Sequence, residues 1–87
     1  MKLIIAIVRD TNSDVISHAL TDNDLRVTQI ASTGGFLRRG HATLLVGVED
    51  NQLEQALGII RENCKSPESE ERKATIFVLK VDQFIHF

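Results

Sequence analysis

The stretch Thr33-Gly34-Gly35-Phe36-Leu37-Arg38-Arg39-Gly40-His41 decides how this chain is read. It separates two apolar runs with strand character, so it becomes the link between two neighbouring strands. Adjacent glycines admit positive φ and expose bare N–H groups. Phe36 adds an aromatic face, and Arg38 and Arg39 add fixed positive charge. Together these suit an anionic, ring-bearing ligand such as a nucleotide. The same residues would also make an ordinary solvated hairpin tip, and both readings stand at this level.

Outward from this stretch, the upstream run Leu25 to Ser32 reads as a strand. Leu25, Val27 and Ala31 alternate there with Arg26, Thr28 and Ser32, and Ile30 interrupts the pattern. Downstream, Ala42 to Val48 is another strand, in which Gly47 predicts a bulge or a close approach by a ligand or backbone. Further out, Lys2 to Val8 is a nearly continuous aliphatic strand that ends at Arg9 and Asp10. Asp10-Thr11-Asn12-Ser13 then supplies N-cap candidates for a helix with Val15, Ile16, Ala19 and Leu20 inward. Thr21-Asp22-Asn23-Asp24 stops that helix, and His18 within it receives no role.

Glu49-Asp50-Asn51 caps a second helix, whose stripe is Leu53, Ala56, Leu57, Ile60 and Cys64. Cys64 reads as a small buried hydrophobe. Lys65 to Lys73 is a polar connection, Ala74 to Val81 a fourth strand, and Asp82 to Phe87 a tail. The order β-α-β-β-α-β predicts an α+β, ferredoxin-like domain over residues 1–87. It has a four-stranded antiparallel sheet with two helices on one face. Aliphatic side chains on the other face predict an oligomer.

Composition bounds the function. The 87 residues carry a net charge of −2, with 43% hydrophobic and 25% charged residues. Leu25 to Val48 contains three arginines and no carboxylate, so +3 there stands against −5 elsewhere. That distribution favours a small defined anion over a long nucleic acid. The first and third strands lack the aromatics on which RNA-recognition domains stack bases. One cysteine excludes an internal disulfide and a Cys-x-x-Cys metal carrier, and His18, His41, His86 and Cys64 lack metal-ligand spacing. No Ser/His or Cys/His pair suggests nucleophilic catalysis. The apolar start is too short to span a membrane or act as a leader, so a cytoplasmic protein without catalytic activity, metal or cofactor is expected.

The residues also carry a resemblance. Met1 to Val8, Arg26-x-Thr28, Thr33-Gly34-Gly35-Phe36-Leu37-Arg38-x-Gly40, and Ala74 to Leu79 with Asp82 and Phe84 are similar to the PII-like cyclic di-AMP receptor proteins. This resemblance implies a homotrimer with a ligand site at each subunit interface. It also implies no catalysis, and signalling to a downstream protein by loop rearrangement. It assigns ligand contacts to Gly35, Phe36 and Leu37 within the glycine segment that begins at Gly34. Arg26 and Thr28 would line the same pocket, Gly47 would lie close to a base, and Phe77 would pack against it. Where the family usually has Asn and Gln, this chain has His41 and His86. Where ligand-binding members have a long loop before the last strand, this chain has only Lys65 to Lys73. The first reading is therefore a receptor for an adenine nucleotide, cyclic di-AMP foremost. The alternative is a trimeric interaction scaffold of the same fold that no longer binds it, or that binds another small anion.

Overall fold

The computed structural model describes residues 1–30, 40–64 and 74–87. Its elements are β1 (Lys2–Arg9), α1 (Asp10–Asp22), β2 (Arg26–Ile30), β3 (His41–Val48), a short 3-10 turn (Asp50–Gln52), α2 (Leu53–Glu62) and β4 (Ala74–Lys80). The strands form one antiparallel sheet in the order β2-β3-β1-β4. This is the ferredoxin-like α+β arrangement that the element order predicts.

β1 is paired on both edges, to β3 from Lys2↔Val48 through Arg9↔His41 and to β4 from Lys2↔Lys80 through Val8↔Ala74. Side chains along a strand alternate between faces. Ile4, Ala6 and Val8 are fully buried, as are Leu44 and Val46 on β3. These meet Ile16 and Leu20 of α1 and Ala56 and Ile60 of α2 in one core, so both helices cover the same face. Leu3, Ile5, Ile7 and Leu45 belong to the opposite, open face and are only half-buried.

α1 follows β1 without a linker. Arg9 is its N-cap residue, and the polar run Asp10 to Ser13 expected to precede the helix is its first turn. The inward face is accordingly rotated. Asn12, Ser13, Ile16 and Leu20 are buried, whereas Val15 is 52% exposed. Positions 12, 16 and 20 lie one turn apart and set the buried line, and Val15 lies roughly 100° away from Ile16. The Ser13 hydroxyl donates to the Asp10 carbonyl (2.9 Å), which makes its burial tolerable. Asp24 then reverses the chain at φ 63, a conformation that Asp tolerates better than most residues, and the Leu25 N–H donates back to the Leu20 carbonyl.

α2 keeps its expected stripe. Ala56, Ile60 and Cys64 are buried, with Leu53 and Leu57 packed against the core. Its entry is a capping box between Glu49 and Gln52, in which the Glu49 N–H donates to Gln52 Oε1 (2.9 Å). Asp50 pairs with the N-terminal ammonium (3.3 Å) and with Lys2 Nζ (3.4 Å). The hydrogen bond from the terminal amine, then the Lys2 charge, hold its carboxyl below the ordinary value. No helix among the described residues is long and apolar enough to cross a membrane.

This packing generates two predictions. Ile4→Ala should destabilise the protein by about 2–5 kcal/mol, and Val15→Ala by no more than about 0.5 kcal/mol, both measured by urea denaturation. The lowered Asp50 pKa means that this group stabilises the fold above its unfolded value. The benefit is lost as pH falls through the folded value. The melting-temperature difference between wild type and Asp50→Asn should therefore vanish in strong acid.

Candidate functional site

The candidate site lies on the open face of the sheet. Cross-strand register sorts that face into rows running from β2 to β4. Arg26 stands opposite Gly47, which faces Leu3, which faces Leu79. The next row is Thr28, Leu45, Ile5 and Phe77, and the one after it is Ile30, Thr43, Ile7 and Thr75. The open end of the face carries Arg9 beside His41. Ile30, which interrupts the alternation read from the sequence, belongs to this face with Arg26 and Thr28. None of these residues is acidic, so the two arginines leave the face apolar and cationic.

Arg26, Thr28 and Gly47 come together. Arg26 and Gly47 are direct partners, and Thr28 is two residues further along the same edge strand. Both β2 residues are exposed. Gly47 shows no bulge, because its pairing with Leu3 on one side and Arg26 on the other is continuous with its neighbours. A Cβ built there meets nothing within 4 Å. The bulge expectation is therefore corrected, since both ladders run regularly through this residue.

Phe77 is 52% exposed and shares the row of Thr28, but on the far edge strand. Three strand spacings separate the two, about 14 Å. His41 lies six residues along β3 from Gly47, about 20 Å away. His86 belongs to the tail, with its ring parallel to that of Phe84 at 6.3 Å between centroids. Gly34, Gly35, Phe36 and Leu37 lie outside the described residues. Gly40, at the end of that segment, takes φ 85 and accepts a hydrogen bond from the Asp10 N–H (2.8 Å). This is the one described position of the segment where a glycine is needed for its backbone.

Arg9 is the residue that the sequence pattern does not single out. It figures there only as the break in an apolar run, although its odd number along β1 already assigns it to the face of Leu3, Ile5 and Ile7. Among the described residues no group of three or more His, Cys, Asp or Glu side chains could hold a metal ion.

Comparison with known proteins gives two findings. The family described as cyclic-di-AMP receptor matches residues 1–70, from β1 through α2. A crystal structure of a functionally unknown protein from Pediococcus pentosaceus is similar over 99% of this chain and 96% of its own, with 35% identity and a TM-score of 0.79.

The open space over Gly47 yields a prediction. Gly47→Ala should fold, with an unfolding free energy unchanged or higher by up to about 1 kcal/mol, measured by denaturation of dilute protein. A loss of ligand binding or assembly in that variant then originates outside the single chain.

Proposed function

This chain belongs to the cyclic-di-AMP receptor family, and from that premise we propose that it is a PII-like, non-enzymatic signalling receptor. Its ligand is an adenine nucleotide, cyclic di-AMP foremost, bound at each interface between neighbouring subunits of a homotrimer. The observation that carries this reading is the acid-free open face, with Arg26 exposed beside the uncovered Gly47 and with Thr28 on the same edge. An exposed guanidinium offers forked donors to a phosphate. A glycine without a side-chain neighbour leaves room for a flat purine ring. Because Phe77 and His41 are too far from Arg26 to enclose one small ligand within a single chain, an interface between copies is the natural way to gather them. By the family resemblance, Gly35, Phe36 and Leu37 would contact the ligand, and a ligand-dependent loop rearrangement would signal to a downstream protein.

One observation favours a second reading. The family match ends at residue 70, so Phe77 and His86 lie beyond it. A scaffold that keeps the fold and the interfaces without the ligand would need neither residue to touch a nucleotide.

Titration calorimetry with mono-, di- and cyclic dinucleotides, together with light scattering for mass, tests the proposal. The protein should have the mass of a trimer and bind cyclic di-AMP, and binding should weaken with added salt. Phe36→Ala should cost roughly 1–3 kcal/mol of binding, as for other base–aromatic contacts, and Arg26→Ala should weaken binding as well. If no nucleotide binds at high micromolar concentration, the receptor reading falls and the scaffold remains.

A further inference from the structure

Arg9 ends β1 with an extended backbone (φ −67, ψ 142), which keeps its side chain on the open face with Ile7. Across the β1–β3 ladder it faces His41. The hydrogen bond from the Asp10 N–H to the Gly40 carbonyl ties this end of the sheet to the end of the glycine segment. The Arg9 Nε is sealed from solvent and has no hydrogen-bond partner among the described residues. Both described ion pairs go to Asp50, so no carboxylate among the described residues neutralises Arg9.

A guanidinium cannot shed its proton to escape this situation. A buried donor of a charged group without an acceptor is costly, and in a native protein it calls for a partner. Strand residues on this face supply no acid. Arg26 cannot serve this end, because it pairs with Gly47, about 20 Å along β3 from His41. The face thus has one arginine at each end, and the Nε of the one beside His41 lacks an acceptor among the described residues.

We propose that Arg9 is a phosphate-binding residue, holding an anionic ester oxygen at the His41 end of the open face. The inference rests on the nucleotide reading above, since the anion that it expects is a phosphodiester of that ligand. Cyclic di-AMP carries two such groups, and since Arg9 and Arg26 stand at opposite ends of the face, the two that meet one ligand would come from neighbouring copies of the chain.

The test compares wild type, Arg9→Gln and Arg9→Lys by calorimetry with cyclic di-AMP and by thermal shift with inorganic pyrophosphate. Arg9→Gln should bind cyclic di-AMP about tenfold more weakly, the loss expected for one charge-assisted hydrogen bond, and its affinity should depend less on salt. Arg9→Lys should fall between the two, because an ammonium keeps the charge without the fork. If wild type and Arg9→Gln bind cyclic di-AMP equally, with the same salt dependence, the Arg9 inference is overturned and the nucleotide reading survives. If no nucleotide binds but pyrophosphate stabilises wild type and not Arg9→Gln, Arg9 stands as a phosphate ligand and the nucleotide reading falls. Wild type indifferent to both probes overturns both. Should Arg9→Gln fail to fold, Arg9→Lys decides, and an affinity equal to wild type overturns the inference.

Discussion

β1 is hydrogen-bonded along both edges, and the two ladders that run through it constrain everything else in the molecule. Their register puts Ile4, Ala6 and Val8 under the helices, where none retains any exposure, and puts Leu3, Ile5, Ile7 and Arg9 on the other side. A slip of one residue would exchange these two sets and expose the core. The same register places Arg9 at the end of the sheet and starts α1 at the next residue. It also brings Gly40 against Asp10. The candidate site is therefore a consequence of how the core is closed. The face that the helices leave open is the face that carries Arg9 and Arg26.

Much of this is legible in the sequence, because periods of two and of 3.6 are set by burial and survive in the residue pattern. β1, β3 and the α2 stripe ending at Cys64 follow directly from the spacing of aliphatic residues. α1 departs from its pattern at Val15. Four consecutive polar residues resemble a cap, yet the chain turns helical at Asp10, and Asn12 and Ser13 take inward positions that pattern reading reserves for aliphatic side chains. Such inversions are invisible when the hydrogen bonds that compensate them, as from Ser13 to the Asp10 carbonyl, end on backbone atoms that every sequence has. Gly47 departs in a different way. A strand glycine usually signals irregular backbone, and here the backbone is regular.

The site is partly legible for a related reason. Arg26 and Thr28 alternate with Leu25 and Val27, so the alternation by itself gives them a shared face. That Gly47 is the direct partner of Arg26 does not follow from it, because register depends on the pairing of β2 with β3 and not on either strand alone. The separation of Phe77 from Thr28 by two intervening strands depends likewise on the sheet order β2-β3-β1-β4, which no local pattern encodes. Arg9 does carry a usable signal, namely a charged residue continuing the odd-numbered face of an apolar strand.

Gly47 and Phe77 present the same problem from opposite sides. Nothing among the described residues needs a glycine at 47, where an added Cβ would find open space. Nothing among the described residues covers Phe77 or Leu79, which remain 52% and 47% exposed on an edge strand. Packing of the isolated fold would accept a larger residue at the first position and smaller ones at the others. A missing side chain on the inner strand β3 of an apolar, cationic face and exposed apolar side chains on its β4 edge are complementary features. Gly47 and Leu79 share a row with Leu3 between them, two strand spacings or about 10 Å apart within one chain, so they do not meet each other. Two copies meeting edge to edge could bring them together, and a flat anionic ligand between those copies would use the space over Gly47 while its charge met Arg26. On the proposed reading, the residues that packing of one chain leaves unexplained are the ones that an interface would use.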